Sequence, residues 1–130
     1  MKGYIYIALP TDGNMNSIKI GYTTNSLRER MQKGAKSRKF SIVAAVGVND
    51  EDYFIKDMTV LLQAVESMVH YKATDSGLLR MVSHDWMQCT EEAWASIEEM
   101  LEGRILEGLI YKAFEIVDIR VSKYLATITL

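Results

Sequence analysis

Six of the fifteen Lys and Arg residues of this chain lie within one stretch of twelve residues, 28–39. They are Arg28, Arg30, Lys33, Lys36, Arg38 and Lys39. Residues 1–40 carry a formal charge of +6 and residues 41–130 carry −8, so the charge is strongly asymmetric although the net charge is −2. A basic cluster of this density is typical of a surface that contacts a phosphate backbone, and the alternative is a solvated helix face and loop. The last four members of the cluster are the predicted nucleic-acid contacts.

An acidic and an imidazole side chain, Glu66 and His70, lie four residues apart in a segment with helical periodicity. Glu66 falls on the flank of the apolar stripe, about 40° from Leu62 around the helix, rather than on the opposite face. His70 either contacts the same site as Glu66 or is a satisfied, partly buried histidine. The sequence contains no CxxC, HExxH, P-loop or Gly-rich dinucleotide signature, so no cofactor can be assigned from motifs of these kinds.

Length and composition predict one domain over residues 1–130, with 48% apolar residues to form its core. The single cysteine, Cys89, predicts a reducing compartment and an ordinary buried thiol. No apolar stretch approaches the roughly 20 residues that span a bilayer, and the N-terminus has no cleavage site of a signal peptide. We therefore expect no membrane contact and a cytoplasmic protein.

The N-terminal half predicts three strands near residues 3–9, 17–23 and 40–48, from β-rich and alternating patterns. The first two form an antiparallel hairpin, and the third, nearly all apolar, is expected at the centre of the sheet with both faces covered. Ser26 and Glu29 have the spacing of a capping box, which starts a short helix. A second helix is expected to begin in the acidic turn at residues 49–52 and to end near Ala73.

The C-terminal part predicts a helix that opens near Thr90, with Trp94 and Leu101 among its apolar residues. The tail alternates at Val117, Ile119 and Val121 and then shifts phase, which indicates one bent strand or two short ones. The predicted fold is a mixed α/β (α+β) domain with a small antiparallel sheet of about three strands flanked by helices. Residues 91–130 add a helix and strand extension, whose C-terminal strand is a candidate homodimer contact.

The order of these features resembles the GIY-YIG nuclease family, in its viral and phage branch whose second motif reads KIG. A strand with Tyr4-Ile5-Tyr6 is followed by a second strand that ends in Lys19-Ile20-Gly21 and then by the capped helix. The resemblance continues through the helix with Glu66 and a Trp motif at Asp85-Trp86-Met87, and it covers about residues 3–90. It implies a GIY-YIG-like fold and hydrolysis of phosphodiester bonds assisted by one divalent metal ion.

Matched by position, the resemblance assigns catalytic roles to Tyr6, Lys19, Arg30 and Glu66, with Glu66 as the metal ligand. Lys19 replaces a tyrosine of the better-studied branch. Arg28 competes with Arg30 for the arginine position, because the spacing from Gly21 is one residue longer than in shorter members. Tyr4 stands at the first position of the first motif, where the family more often has glycine. Gly3 comes directly before it.

Phosphodiester chemistry needs these residue types. A guanidinium that forks onto phosphate oxygens and a cation held by a carboxylate both stabilise the charge of the transition state. A phenol accepts a proton from water only if its pKa of about 10 is lowered by nearby cations. Lys19 beside Tyr6 would have this effect, and Tyr22 is the second candidate for the proton acceptor. His70 is a possible accessory residue.

The sequence thus predicts a metal-dependent endonuclease that acts on DNA with Mg²⁺ or Mn²⁺. The alternative is a catalytically silent module of the same fold that binds nucleic acid or a protein partner in a viral or phage context. Arg30 and Glu66 favour the enzyme, whereas Lys19 in place of tyrosine and the net charge of −2 favour the silent module.

Overall fold

Six antiparallel strands form one sheet in the order β4-β5-β2-β1-β3-β6, with helices packed against it. The computed structural model describes residues 2–11, 17–33, 39–83, 86–90 and 97–129. The strands are β1 (Lys2–Pro10), β2 (Ser17–Thr23), β3 (Phe40–Asn49), β4 (Leu79–Ser83), β5 (Trp86–Cys89) and β6 (Leu125–Thr129). The helices are α1 (Leu27–Lys33), α2 (Ile55–Asp75), α3 (Ile97–Glu102), α4 (Ile105–Val117) and a 3₁₀ helix (Ile119–Tyr124). The predicted mixed α+β class is confirmed, although the sheet has six strands instead of about three.

The three N-terminal strands are confirmed close to their predicted limits. β1 pairs with β2 in the predicted hairpin, with Tyr6 opposite Gly21. The prediction that β3 is the central strand is wrong: β1 and β2 hold the centre, and β3 is second from one edge. The reason is that two short strands, β4 and β5, extend the sheet beyond β2, whereas β6 alone extends it beyond β3.

The alternation of the strands divides the apolar residues into two clusters, one on each face of the sheet. The larger cluster joins the inward stripe of α2 and the buried residues of α4 to one face, including Ile5, Ile20 and Val65. The smaller cluster covers the other face with Leu27 of α1, Tyr6, Phe40 and Trp86 among its members. β3 is therefore covered on both faces, as its continuous apolar sequence predicts.

An irregularity in β3 decides which of its residues face α1. The register with β1 shifts between Ile7 and Ala8, which pair with Ala44 and Ile42 respectively, so one residue of β3 is left over. Such a bulge changes which face later side chains occupy. Because of it, Phe40, Ile42 and Ala45 share the face of the smaller cluster.

Three predictions for the second half need correction. The helix expected from residues 49–52 begins only at Ile55, because Asp50 Oδ1 accepts a hydrogen bond from Asp52 N (2.9 Å) and holds these residues in a turn. β4 and β5 were not predicted, since neither short segment alternates clearly. Residues 117–121 are not a strand: Val117 ends α4, and the 3₁₀ helix begins at Ile119. The predicted helix start near Thr90 and Trp94 falls on residues 91–96, which lie outside the described residues.

A charged cluster fixes the 3₁₀ helix to the loop before α2. Asp118 accepts hydrogen bonds from Arg120 N (3.0 Å) and from the Arg120 guanidinium (3.0 and 2.9 Å). The Tyr53 hydroxyl donates a short hydrogen bond to the same carboxylate. The Arg120 guanidinium, with help from Tyr53, holds the pKa of the Asp118 carboxyl well below its usual range. A charged side chain thus ends α4 and starts the next element where the sequence pattern predicts continuous alternation.

β6 occupies one edge of the sheet and pairs with β3 along its inner side. Its outer side has no partner strand within the described ranges, and the homodimer predicted through this strand stays a prediction. Cys89 is half-buried in β5, and burial raises the pKa of its thiol. None of the helices in the part of the chain that the structure describes is long and apolar enough to cross a membrane.

Candidate functional site

Three aromatic rings form the base of the candidate site on the α1 face of the sheet. Tyr6 stacks on Phe40 with ring centres 5.9 Å apart and planes 8° from parallel. Trp86 packs edge-on against Phe40 at 6.3 Å. All three side chains are buried, and Tyr6 is only 1% exposed. The rings come from β1, β3 and β5, so the sheet fixes their relative positions.

Two cationic groups lie over these rings. The Arg30 guanidinium lies 5.1 Å from the centre of the Phe40 ring and 5.7 Å from that of Tyr6. The Lys19 ammonium lies 5.8 Å from the Phe40 ring centre and 6.0 Å from that of Trp86. These distances fall in the range of cation–π attraction. Three of the four predicted catalytic residues, Tyr6, Lys19 and Arg30, therefore meet around Phe40.

Helix α1 presents Arg30 to the rings because both of its ends are tied down. Ser26 Oγ accepts a hydrogen bond from Glu29 N (3.2 Å), which confirms the predicted cap. Ile42 N donates to Met31 Sδ (3.2 Å), so the helix is held against β3. Arg28 is exposed to solvent on the same helix, and Arg30 is the arginine that contacts the rings.

Gly21, the last residue of the KIG segment, makes room for Tyr6. A Cβ atom at this position would lie 2.5 Å from the Tyr6 hydroxyl oxygen and 2.6 Å from its Cζ. Gly3 is packed as closely on the opposite face, where a Cβ atom would lie 2.7 Å from Leu62 Cδ1 of α2. The two glycines therefore serve different contacts, and only Gly21 belongs to the candidate site.

α2 is tied to β2 by two of its side chains. Within the described residues, β5 pairs with β2 through residues 17–19. Beyond this point, Ile20 O accepts a hydrogen bond from His70 Nε2 (2.8 Å), and the Tyr22 hydroxyl accepts one from Gln63 Nε2 (2.9 Å). Two side chains of α2 thus hold the helix to β2 at Ile20 and Tyr22.

Glu66 lies between these two contacts along the same flank of α2, since residues three and four apart share a helix face. Gln63 contacts Tyr22 and His70 contacts Ile20, one on each side of Glu66 along the helix. Glu66 Oε1 lies 4.0 Å from His70 Nε2, and the side chain of Glu66 is 19% exposed. The predicted position of Glu66 on the flank of the helix agrees with this partial exposure.

The donor set at this position limits which metal it suits. Within the described residues, no group of three or more His, Cys, Asp and Glu side chains could hold a metal ion. Zinc needs three or four protein ligands, whereas Mg²⁺ keeps several waters and needs only one or two carboxylates. A single carboxylate such as that of Glu66 is a donor that a hydrated Mg²⁺ ion can use.

The basic cluster around α1 is described in part. Arg28, Lys33 and Lys39 are exposed, so their ammonium and guanidinium groups reach solvent beside the Arg30 position. Lys36 and Arg38 lie outside the described residues, and so does Asp85 of the Trp motif. The exposed members suit contacts to an extended anionic ligand.

Two residues of the site, Phe40 and Gln63, were not predicted. Phe40 reads in the sequence only as the first residue of an apolar strand, and its ring becomes the centre of the site through contacts with β1, β2 and α1. Gln63 lies three residues before Glu66 on the same helix flank. That spacing was the one available signal for Gln63, and nothing in the local sequence distinguishes Phe40.

Comparisons with known proteins identify a family and no individual relative. A comparison with curated proteins finds no match, and a comparison with solved structures finds none either. Among protein-family models, the T5orf172 domain matches residues 3–102, which include the whole candidate site. This phage-associated domain is related to GIY-YIG-like, nuclease-like folds. The chain belongs to the T5orf172 domain family.

Proposed function

We propose that this protein is a metal-dependent endonuclease that hydrolyses phosphodiester bonds in DNA. The observation that carries the proposal is the meeting of Arg30 and Lys19 over the ring of Phe40. Two cations held in one small area suit an anionic reaction centre, to which Glu66 of α2 would add the carboxylate. The nuclease-like relationship of the family supports the same assignment.

Arg30 would bind the scissile phosphate. Its guanidinium is half-buried against Tyr6 and Phe40, and electrostatic attraction to a phosphate is stronger where water is partly excluded. The planar fork of arginine can give two parallel hydrogen bonds to phosphate oxygens, which lysine cannot reproduce. The packed rings beneath it would limit the orientations of this fork before the substrate arrives.

Glu66 would hold Mg²⁺ or Mn²⁺, which when bound stabilises negative charge on the phosphate and the leaving oxygen. The partial exposure of Glu66 leaves room for the water ligands that these ions retain. The exposed residues Lys33 and Lys39 would contact neighbouring phosphates of the DNA backbone. In this proposal the protein acts in the cytoplasm of a bacterial or infected host cell.

Two tyrosines are candidates to accept the proton of the attacking water. Tyr6 is 1% exposed, so its hydroxyl reaches a water molecule only if the ring cluster opens when DNA binds. Tyr22 is half-buried, and its hydroxyl already accepts a hydrogen bond from Gln63. The cleavage rates of Tyr6→Phe and Tyr22→Phe distinguish the two candidates, because only removal of the hydroxyl that accepts the proton slows the chemical step.

The decisive experiment compares cleavage of plasmid, single-stranded and branched DNA in Mg²⁺ or Mn²⁺. Glu66→Gln keeps the size of the side chain and removes its charge, and we expect cleavage to fall by about 100-fold or more. Glu115→Gln is the matched control on an exposed position of α4 and leaves cleavage unchanged. Arg30→Lys should also be damaging, whereas Arg28→Lys on the same helix should not be.

Equal cleavage by the wild type and by the Glu66 and Arg30 variants would reveal a contaminating nuclease and contradict the proposal. Every variant is first checked by thermal melting, so that loss of folding is not mistaken for loss of chemistry. DNA binding is measured on the same samples, since Glu66→Gln should leave binding intact.

The burial of Tyr6 and Lys19 favours a second candidate, a catalytically silent module that binds nucleic acid or a protein. Lys19 is 2% exposed and lies between two rings, an environment that also suits a purely structural cation. DNA binding without cleavage of any of the three DNA forms would establish this alternative. If the enzyme is active, Lys19→Tyr tests whether the tyrosine of the better-studied branch replaces the ammonium.

A further inference from the structure

Three polar side chains lie at helical spacing on one flank of α2: Gln63, Glu66 and His70. The two outer ones make hydrogen bonds to β2, to the Tyr22 hydroxyl and to Ile20 O. The middle one is the proposed metal ligand. The outer pair therefore ties α2 to β2 on both sides of Glu66.

The contact with Ile20 indicates that His70 carries a proton on Nε2. A carbonyl oxygen can only accept a hydrogen bond, so His70 Nε2 must carry the proton at this 2.8 Å contact. Nε2 is then unable to bind a metal ion or accept a proton from water. The 4.0 Å separation from Glu66 Oε1 is too long for a hydrogen bond between the two side chains. His70 consequently has no direct part in the chemistry through Nε2.

The hydrogen bond joins the imidazole to the backbone of the strand. Ile20 lies one residue beyond Lys19, the last residue of β2 that pairs with β5 in the described part of the chain. Ile20 is fully buried, and a hydrogen bond to a buried carbonyl is costly to lose. The KIG segment and the helix that carries Glu66 are joined at this point by a side chain rather than by backbone pairing.

We propose that His70 is a positioning residue, which ties α2 to the KIG segment at Ile20 and thereby orients the flank of the helix that carries Glu66. The role rests on the proposed function, because it concerns the same metal ligand. Residues that orient a metal ligand without touching the metal typically change its affinity or the activity by about 10–100-fold when they are replaced. We expect an effect of this size from the loss of the His70 contact.

The test uses Mn²⁺ alone as a probe, with free Mn²⁺ measured by electron paramagnetic resonance, alongside DNA cleavage by the full chain. His70→Ala should weaken Mn²⁺ binding and cleavage by about 10–100-fold. His70→Gln should recover most of both, because its amide N–H can donate to Ile20 O in place of the imidazole. Val69→Ala is the stability control: it removes buried atoms of the same helix, lowers the melting temperature and leaves Mn²⁺ affinity unchanged.

Three results would overturn the role. Wild-type Mn²⁺ affinity in His70→Ala would show that the contact does not position Glu66. Equal losses in His70→Ala and His70→Gln would show that the imidazole itself is required. Equal losses in His70→Ala and Val69→Ala would show that stability alone is responsible.

A measurement without metal separates this inference from the proposed function. The ¹⁵N chemical shifts of the His70 ring report which nitrogen carries the proton, and we expect Nε2. A ring protonated only on Nδ1 would remove the contact with Ile20 and overturn the positioning role regardless of activity. The Nε2 form in a wild-type protein that neither binds Mn²⁺ nor cleaves DNA would instead overturn the proposed function, and with it the assignment to Glu66.

Discussion

Replacement of Gly21 by alanine tests the packing on which the whole site depends. The new Cβ atom would lie 2.5 Å from the Tyr6 hydroxyl oxygen, whereas ordinary contacts begin near 3.4 Å, so the ring must retreat by about 1 Å. Retreat is opposed by Phe40, on which the Tyr6 ring is stacked. Overpacking of a buried site costs about 1–3 kcal/mol, and we take about 2 kcal/mol for this one.

The assay is thermal unfolding followed by circular dichroism, with DNA cleavage measured on the folded variant. At roughly 4 °C per kcal/mol for a chain of this size, Gly21→Ala should lower the melting temperature by about 8 °C. Gly108→Ala is the matched control, because a Cβ atom there meets nothing within 4 Å. In the first turn of α4 this control should be neutral or raise stability by up to about 1 kcal/mol, since alanine favours helix.

The interaction with Tyr6 is isolated by a double-mutant cycle with Tyr6→Leu, which shortens the side chain that the new methyl group meets. Gly21→Ala should cost much less in that background than in the wild type. Strictly additive costs, or a Gly21→Ala protein that melts within about 1 °C of the wild type, would refute the reasoning, since the Tyr6 ring could then not lie over Gly21.

Two further predictions concern charge. Asp118→Asn should lower the melting temperature by a few degrees at pH 7, because it removes the charge that Arg120 pairs with. The folded-state pKa of Asp118 is lowered, so this difference from the wild type should be complete above about pH 4 and should shrink as the pH falls below that value; a difference that grows in acid would contradict it. Charge reversal of both Lys33 and Lys39 to Glu should weaken DNA binding and reduce the slope of log K against log salt by up to about 2, whereas Lys112→Glu on the exposed side of α4 should leave the slope unchanged. Binding titrations between low and moderate salt check this. An unchanged slope in the double variant would show that the segment is a solvated face that does not contact DNA.

The elements predicted well from the sequence are those whose signals are local. The first three strands show β-rich patterns that match the faces they bury, and the Ser26 cap marks the start of α1 within one residue. α2 was predicted because its apolar residues recur at helical spacing. In each case the segment carries enough information to specify its own structure.

The errors arise where neighbouring elements decide the structure. Val117, Ile119 and Val121 alternate like a strand, but Val121 is buried and Ile119 is 74% exposed, because the three residues belong to two different helices. β4 and β5 are stabilised by pairing with each other and with β2, which no local pattern of four or five residues reveals.

The candidate site divides in the same way. Arg30 was predicted from the capped helix and the family resemblance, and its contacts distinguish it from Arg28. Phe40 could not be predicted, because its role depends on a bulge in β3 and on rings from two other strands. The predicted functions of Tyr6, Lys19 and Glu66 stay predictions until cleavage is measured.

The pairing of β3 with β6 has a consequence for synthesis of the chain on the ribosome. The paired residues, such as Val48 and Leu125, are roughly 80 positions apart, so the outer side of β3 stays unpaired until almost the whole described chain has emerged. β3 is rich in apolar and β-branched residues, and an exposed strand of this kind invites association between nascent chains. Helix α4, which buries Phe114 in the larger cluster, also arrives late. We therefore expect the yield of folded protein in an expression host to depend on how soon after β3 the segment from α4 to β6, about 25 residues, is synthesised. Slower translation should favour aggregates over folded protein.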